Sequence, residues 1–140
     1  MKFITNNLVK FGLSLIATTI LFRYSLTSAL TERSFLLVGI IAFLYSCAVF
    51  ALGLFWGKKD QEILAWHDVG FRFHLVTYLV CNGIGELWFW LEFHNDNYEH
   101  VNHVHFPAII WGLVLMFHFI YFLITRKETI DGIDKTELFE

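Results

Sequence analysis

Four apolar stretches, each close to the length of a bilayer crossing, take up nearly all of this 140-residue chain. They cover about residues 11–30, 34–56, 71–93 and 105–125. A helix needs about 20 mainly apolar residues to cross a hydrocarbon core of roughly 30 Å, and all four stretches meet that length. The connections between them are short, so successive helices are expected to pack antiparallel as an up-down bundle. The expected architecture is therefore all-α: an integral membrane four-helix bundle forming one domain over residues 1–140, with a tail at 126–140.

Composition narrows the function classes. Hydrophobic residues make up 56% of the chain and charged residues 16%, against roughly 25% charged in a soluble domain. The net charge of −3 comes without a basic patch, so nucleic acid is not an expected partner. Cys47 and Cys81 both lie in apolar stretches and read as small packing residues; there is no CxxC pair. No GxSxG, HExxH, phosphate-cradling or dinucleotide motif occurs. Gly83-Ile84-Gly85 lies within an apolar helix and reads as close packing. Histidine boxes of the membrane di-iron type belong on the cytoplasmic side, whereas the histidine cluster here is expected to face out. The chain reads as a non-enzyme.

Lys2 and Lys10, the apolar run from Phe11 to Phe22 and the small residues from Ser25 to Ala29 have the outline of a secretory signal. We expect this segment to be retained as a membrane helix. Basic residues set the orientation. Lys2 and Lys10 precede the first span, Lys58, Lys59 and Arg72 mark the middle connection, and Arg126, Lys127 and Lys135 follow the fourth span. The other two connections hold only Arg33, with Arg23 added if the first span ends early. Both termini and the middle connection are thus expected in the cytoplasm.

Each span carries two small residues four apart: Ser14 and Thr18, Ala42 and Ser46, Cys81 and Gly85, Ala108 and Gly112. This spacing lets backbones approach in lipid. It serves bundle packing first and an oligomer interface second. Pro107 is expected in the first turn of the fourth helix, where its missing N–H is harmless.

Ionisable groups within the apolar zone are costly and mark contacts, pathways or cofactors. Arg23 and Glu86 each lie seven residues from the outer end of their spans, about 10 Å deep at a rise of about 1.5 Å per residue. Matched depth suggests an Arg23–Glu86 ion pair between helices one and three, with snorkelling of Arg23 as the plainer reading. His74 and His118 differ in depth by about 6 Å, within reach of each other if helices three and four adjoin. Such a pair has the residue types to ligate haem iron or a metal. Interhelical hydrogen bonding, for instance with Tyr78 or Asn82, is the preferred reading. His74, Tyr78, Asn82, Glu86 and Trp90 recur every fourth residue as a polar stripe that suits the bundle interior, with a hydrated path as the alternative.

The third connection, from Phe93 to His105, holds His94, His100, His103 and His105 with Asp96 and Glu99. Imidazoles this close have the chemistry to share zinc or copper, though a solvated polar loop explains the same composition. No cofactor is required by either reading. The middle connection places Trp66 at headgroup level. The tail offers Ile130, Ile133 and Leu138 among acidic residues, read as a frayed terminus or as a docking site for a cytoplasmic partner.

The second half resembles the bacterial two-transmembrane (2TM) domain family. Phe73-His74-Leu75, Tyr78 and Cys81-Asn82 are similar to its first helix, and Ile110-Trp111-Gly112-Leu113 with His118 is similar to its second. One glycine of the second motif is missing and His118 lies further along than the pattern places it. The resemblance covers about residues 71–125. It implies that His74, Tyr78, Asn82, Trp111, Gly112 and His118 form one structural constellation, and it carries no settled activity.

Together these readings describe a multi-pass protein of a bacterial inner membrane. Its expected role is that of a non-catalytic interaction or regulatory subunit, associating with itself or with another membrane protein. The rival readings are a haem- or metal-binding redox protein and a small channel-forming effector.

Overall fold

The computed structural model describes residues 4–62, 64–91 and 101–131. These form four helices: α1 (Asn6–Thr31), α2 (Phe35–Gln61), α3 (Trp66–Trp90) and α4 (Val101–Asp131). Among the described residues there is no strand.

α1, α2 and α4 run past the ends of their apolar stretches, because hydrogen bonding along a helix does not stop where hydropathy falls; α3 starts before its stretch, at Trp66, and ends at Trp90, short of the expected residue 93. α1 starts at the N-cap Thr5, whose hydroxyl accepts from the Leu8 N–H at 3.1 Å. It ends in a Schellman turn: Arg33 N–H donates to Leu30 O, Ser34 N–H donates to Ala29 O, and Arg33 takes φ 53°. α2 continues through Lys58 and Lys59 to Gln61, and these two cations complement the negative end of its dipole. α3 opens at Trp66, with Asp68 in its first turn. α4 begins at Val101, so Pro107 lies inside the helix rather than in its first turn. The missing N–H therefore interrupts the ladder at the carbonyl of residue 103.

α3 is the hub. It packs against α1, α2 and α4, whereas α4 meets only α3 among the described residues. The four helices are thus not a closed ring. One core cluster joins Leu8, Phe11 and Leu15 of α1 to Val69 and Phe73 of α3, with Leu64 at the end. A second joins Phe71 to Leu115 and Phe122 across α3 and α4. Elsewhere the apolar side chains point outward: Phe35 is 81% exposed, and no residue of the most apolar stretch of α2 is buried. Exposed apolar surface on this scale marks contact with a membrane or with other proteins.

Three helices are long and apolar enough to cross a membrane: α1, α2 and residues Val104–Thr125 of α4. α3 is long enough (25 residues) but is diluted by Asp68, Arg72, His74, Asn82 and Glu86. The described side chains of its polar stripe are largely met by neighbouring helices or by α3 itself.

Candidate functional site

The polar residues of α3 face α4 because both helices present them at helical spacing. His74 and Tyr78 lie one turn apart on α3, and Ala108, Trp111, Leu115, His118 and Phe122 follow a three-four repeat on α4. Antiparallel packing then aligns His74 with His118 and Tyr78 with Gly112.

The contacts form a chain. The Trp111 indole Nε1–H donates to His74 Nε2 at 2.7 Å, and His74 Nδ1 lies 2.9 Å from His118 Nδ1. Indole nitrogen only donates, so His74 Nε2 accepts and carries no hydrogen. A neutral imidazole has one N–H, which on His74 must then be at Nδ1. That hydrogen points at His118 Nδ1, leaving the His118 hydrogen on Nε2. An additional proton on His74 would face the indole N–H, and one on His118 would face the His74 N–H. The seam closes only with both rings neutral. His118 stands edge-on to Phe71, with centroids 6.0 Å apart. Gly70 leaves room beside it, since a Cβ there would stand 3.9 Å from His118 Nε2.

One turn further out, the Tyr78 hydroxyl donates to the Ala108 carbonyl at 3.3 Å. Its oxygen lies 3.0 Å from where a Cβ on Gly112 would stand, so the absence of a side chain is what admits the phenol. Tyr78 also meets the Trp111 ring edge-on at 5.8 Å. His74, Tyr78, Trp111, Gly112 and His118 therefore share one seam. Asn82 donates back to the Tyr78 carbonyl of its own helix at 2.8 Å and lines a cavity among all four helices.

Iron between two axial imidazoles needs their nitrogens about 4 Å apart, twice a metal–nitrogen bond of about 2.0 Å. At 2.9 Å His74 and His118 are hydrogen-bonded to each other. No third His, Cys, Asp or Glu joins them in a metal-sized group among the described residues.

Arg23 and Glu86 receive different partners. The Arg23 guanidinium donates to the Gly85 carbonyl at 3.2 Å. The Glu86 carboxylate accepts from Trp90 Nε1 at 3.2 Å and lies 3.4 Å from His105 Nε2. Equal depth brought Arg23 beside residue 85, but the Glu86 side chain turns toward α4. The contacts described for Arg23 and Glu86 are with the Gly85 carbonyl and with Trp90 and His105, not with each other. His94 and His100 lie outside the described residues, as does the side chain of His103, which belongs to the first turn of α4.

Two clusters carry no obvious sequence signal. On α1, Thr19 donates to Leu15 O at 2.8 Å, so its oxygen accepts from Tyr45 of α2 at 2.9 Å. Cys81 of α3 completes the line, 3.0 Å from the Tyr45 oxygen. At the other end of the bundle, Asp60 is 1% exposed. It accepts from the Thr5 hydroxyl and from Asn7 Nδ2, the latter at 2.9 Å. A carboxylate at the start of α1 also meets the positive end of its dipole.

No family model, curated protein or solved structure matches this chain.

Proposed function

We propose that this chain is a four-pass protein of a bacterial inner membrane, with both termini and the α2–α3 turn in the cytoplasm. In this reading it is a non-catalytic interaction or regulatory subunit, working as an oligomer or within a larger membrane complex. The resemblance to the 2TM family agrees with it, and so does the distribution of lysine and arginine.

The observation that carries the interaction role is a bare face on the hub helix. Leu79, Leu87 and Trp90 are 59%, 60% and 69% exposed. Gly83 lies between them on the same face, and nothing stands within 4 Å of a Cβ placed there. In lipid, a glycine notch flanked by leucines is where a second helix backbone approaches closely. Intramolecular packing leaves this notch unused.

The test is purification of the tagged chain from native membranes in mild detergent, followed by mass determination of the complex and identification of its members. A homo-oligomer or a stoichiometric membrane partner is expected, and Gly83→Leu should disperse it without altering helix content. A monomer free of partners in the unsubstituted protein would refute the reading.

A further inference from the structure

α2 is tightly joined to α1 but touches α3 only sparingly, and the space between α2 and α3, bordered by α1 and at one end also by α4, is an open crevice. Its outer part, about 560 Å³, is walled by Phe22, Tyr45 and Trp111, and its inner part, about 640 Å³, by Phe11, Gly53 and Phe73. The two parts share Val49, Phe50 and Thr77 as wall. They are successive stretches of one trough. From Tyr45 to Gln61 it follows α2 for about 24 Å at a rise of about 1.5 Å per residue, most of a hydrocarbon core of roughly 30 Å.

Its inner end is charged. Lys58, Gln61 and Trp66 line the mouth, with Trp66 74% exposed at that level. Lys59 lies 4.7 Å and Lys10 5.6 Å from the ring centre of neighbouring Trp56. Of the neighbouring acids, Asp60 turns inward onto Thr5 and Asn7 and Asp68 is held by Arg72 at 3.6 Å, which leaves Glu62 beside Lys10, Lys58 and Lys59. A long apolar trough ending in Lys58 and an interfacial tryptophan matches an amphiphile with an acyl chain and a negative headgroup.

We propose that the α2–α3 crevice binds one anionic phospholipid, its headgroup at Lys58 and Trp66 and one acyl chain lying along Gly53 and Phe50. This rests on the membrane reading above. The occupied crevice fills the gap that sparse α2–α3 packing leaves, and at Gly53 that gap is open: nothing stands within 4 Å of a Cβ placed there.

The full-length protein is reconstituted into equimolar phosphatidylglycerol and phosphatidylcholine vesicles, extracted in mild detergent and weighed by native mass spectrometry. One phosphatidylglycerol retained per chain in preference to phosphatidylcholine is expected. Lys58→Gln should lower that preference about fivefold, the worth of one lysine against an anionic headgroup. Gly53→Phe should remove the retained lipid by filling the trough. Circular dichroism and elution volume verify that both variants are folded. Equal retention of the two lipids, or retention unaltered by either substitution, overturns the proposal while the membrane reading stands. Release of the protein from the vesicles by alkali would instead refute the membrane reading itself.

Discussion

Gly112→Ala tests the α3–α4 seam at its tightest point. The added methyl carbon would meet the Tyr78 oxygen at 3.0 Å, while the ring carbons behind it stand at ordinary contact distances of 3.6 and 3.8 Å. The phenol has little room to yield, because Trp111 packs edge-on against it at 5.8 Å. Overpacking of this kind costs about 1–3 kcal/mol. Against that, replacing a mid-helix glycine by alanine returns up to about 1 kcal/mol of helix propensity. The single substitution alone is therefore ambiguous.

A double-mutant cycle with Tyr78→Phe removes the ambiguity. The glycine-to-alanine propensity change occurs on both arms and cancels. Phenylalanine lacks the one atom that the methyl group would strike. Tyr78→Phe by itself forfeits a long hydrogen bond, worth about 0.6 kcal/mol between membrane helices. The double variant should then be more stable than the sum of the singles by about 1–3 kcal/mol. Reversible unfolding in mixed detergent micelles, followed by tryptophan fluorescence, measures all four corners. Additivity within about 0.5 kcal/mol would show that Tyr78 and Gly112 do not meet as described.

His118→Leu leaves the His74 Nδ1–H without the acceptor that stands 2.9 Å from it, a loss of about 1–3 kcal/mol. The same micelle unfolding assay reads it, and stability within about 0.5 kcal/mol of the native protein would refute the hydrogen-bond assignment. Asp60→Ala leaves the Thr5 hydroxyl and the Asn7 amide without their shared acceptor, a loss of about 1–3 kcal/mol. Hydrogen exchange should accelerate over the first turns of α1; unchanged protection would mean that Asp60 does not anchor this end.

Hydropathy makes α1, α2 and α4 plain from residue order, because single ionisable residues such as Arg23 and His118 are outweighed by the apolar run around them. α3 is legible in a different way, through the recurrence of His74, Tyr78 and Asn82 at helical spacing. What cannot be read is rotation. Counting residues from a span's end fixes depth alone, and depth is one coordinate of three. It put Arg23 level with Glu86, yet the guanidinium meets the Gly85 carbonyl and the carboxylate meets His105. Asp60 escaped for another reason: a span that stops with its apolar residues ends at Trp56, which makes residue 60 loop. The helix runs on to Gln61 and carries Asp60 beneath the start of α1. The Thr19–Tyr45–Cys81 line has no charged member, so nothing in the sequence singles it out from ordinary packing.

The division of labour among the helices follows from where these polar contacts lie. α4 has only α3 to hold it among the described residues, and in the proposed membrane setting apolar side chains alone cannot orient one helix on another, since lipid would compete equally for the same surface. Hydrogen bonds are directional and lipid tails cannot replace them. The Trp111–His74–His118 chain and the Tyr78 contact with Ala108 sit on one face, about a turn apart, and together fix both the rotation and the register of α4. A seam of that kind also has a definite way to open, since one added proton sets two N–H groups against each other. The polar residues of α3 therefore lower its hydropathy for a structural reason: they recruit the helix that nothing else in the described chain retains.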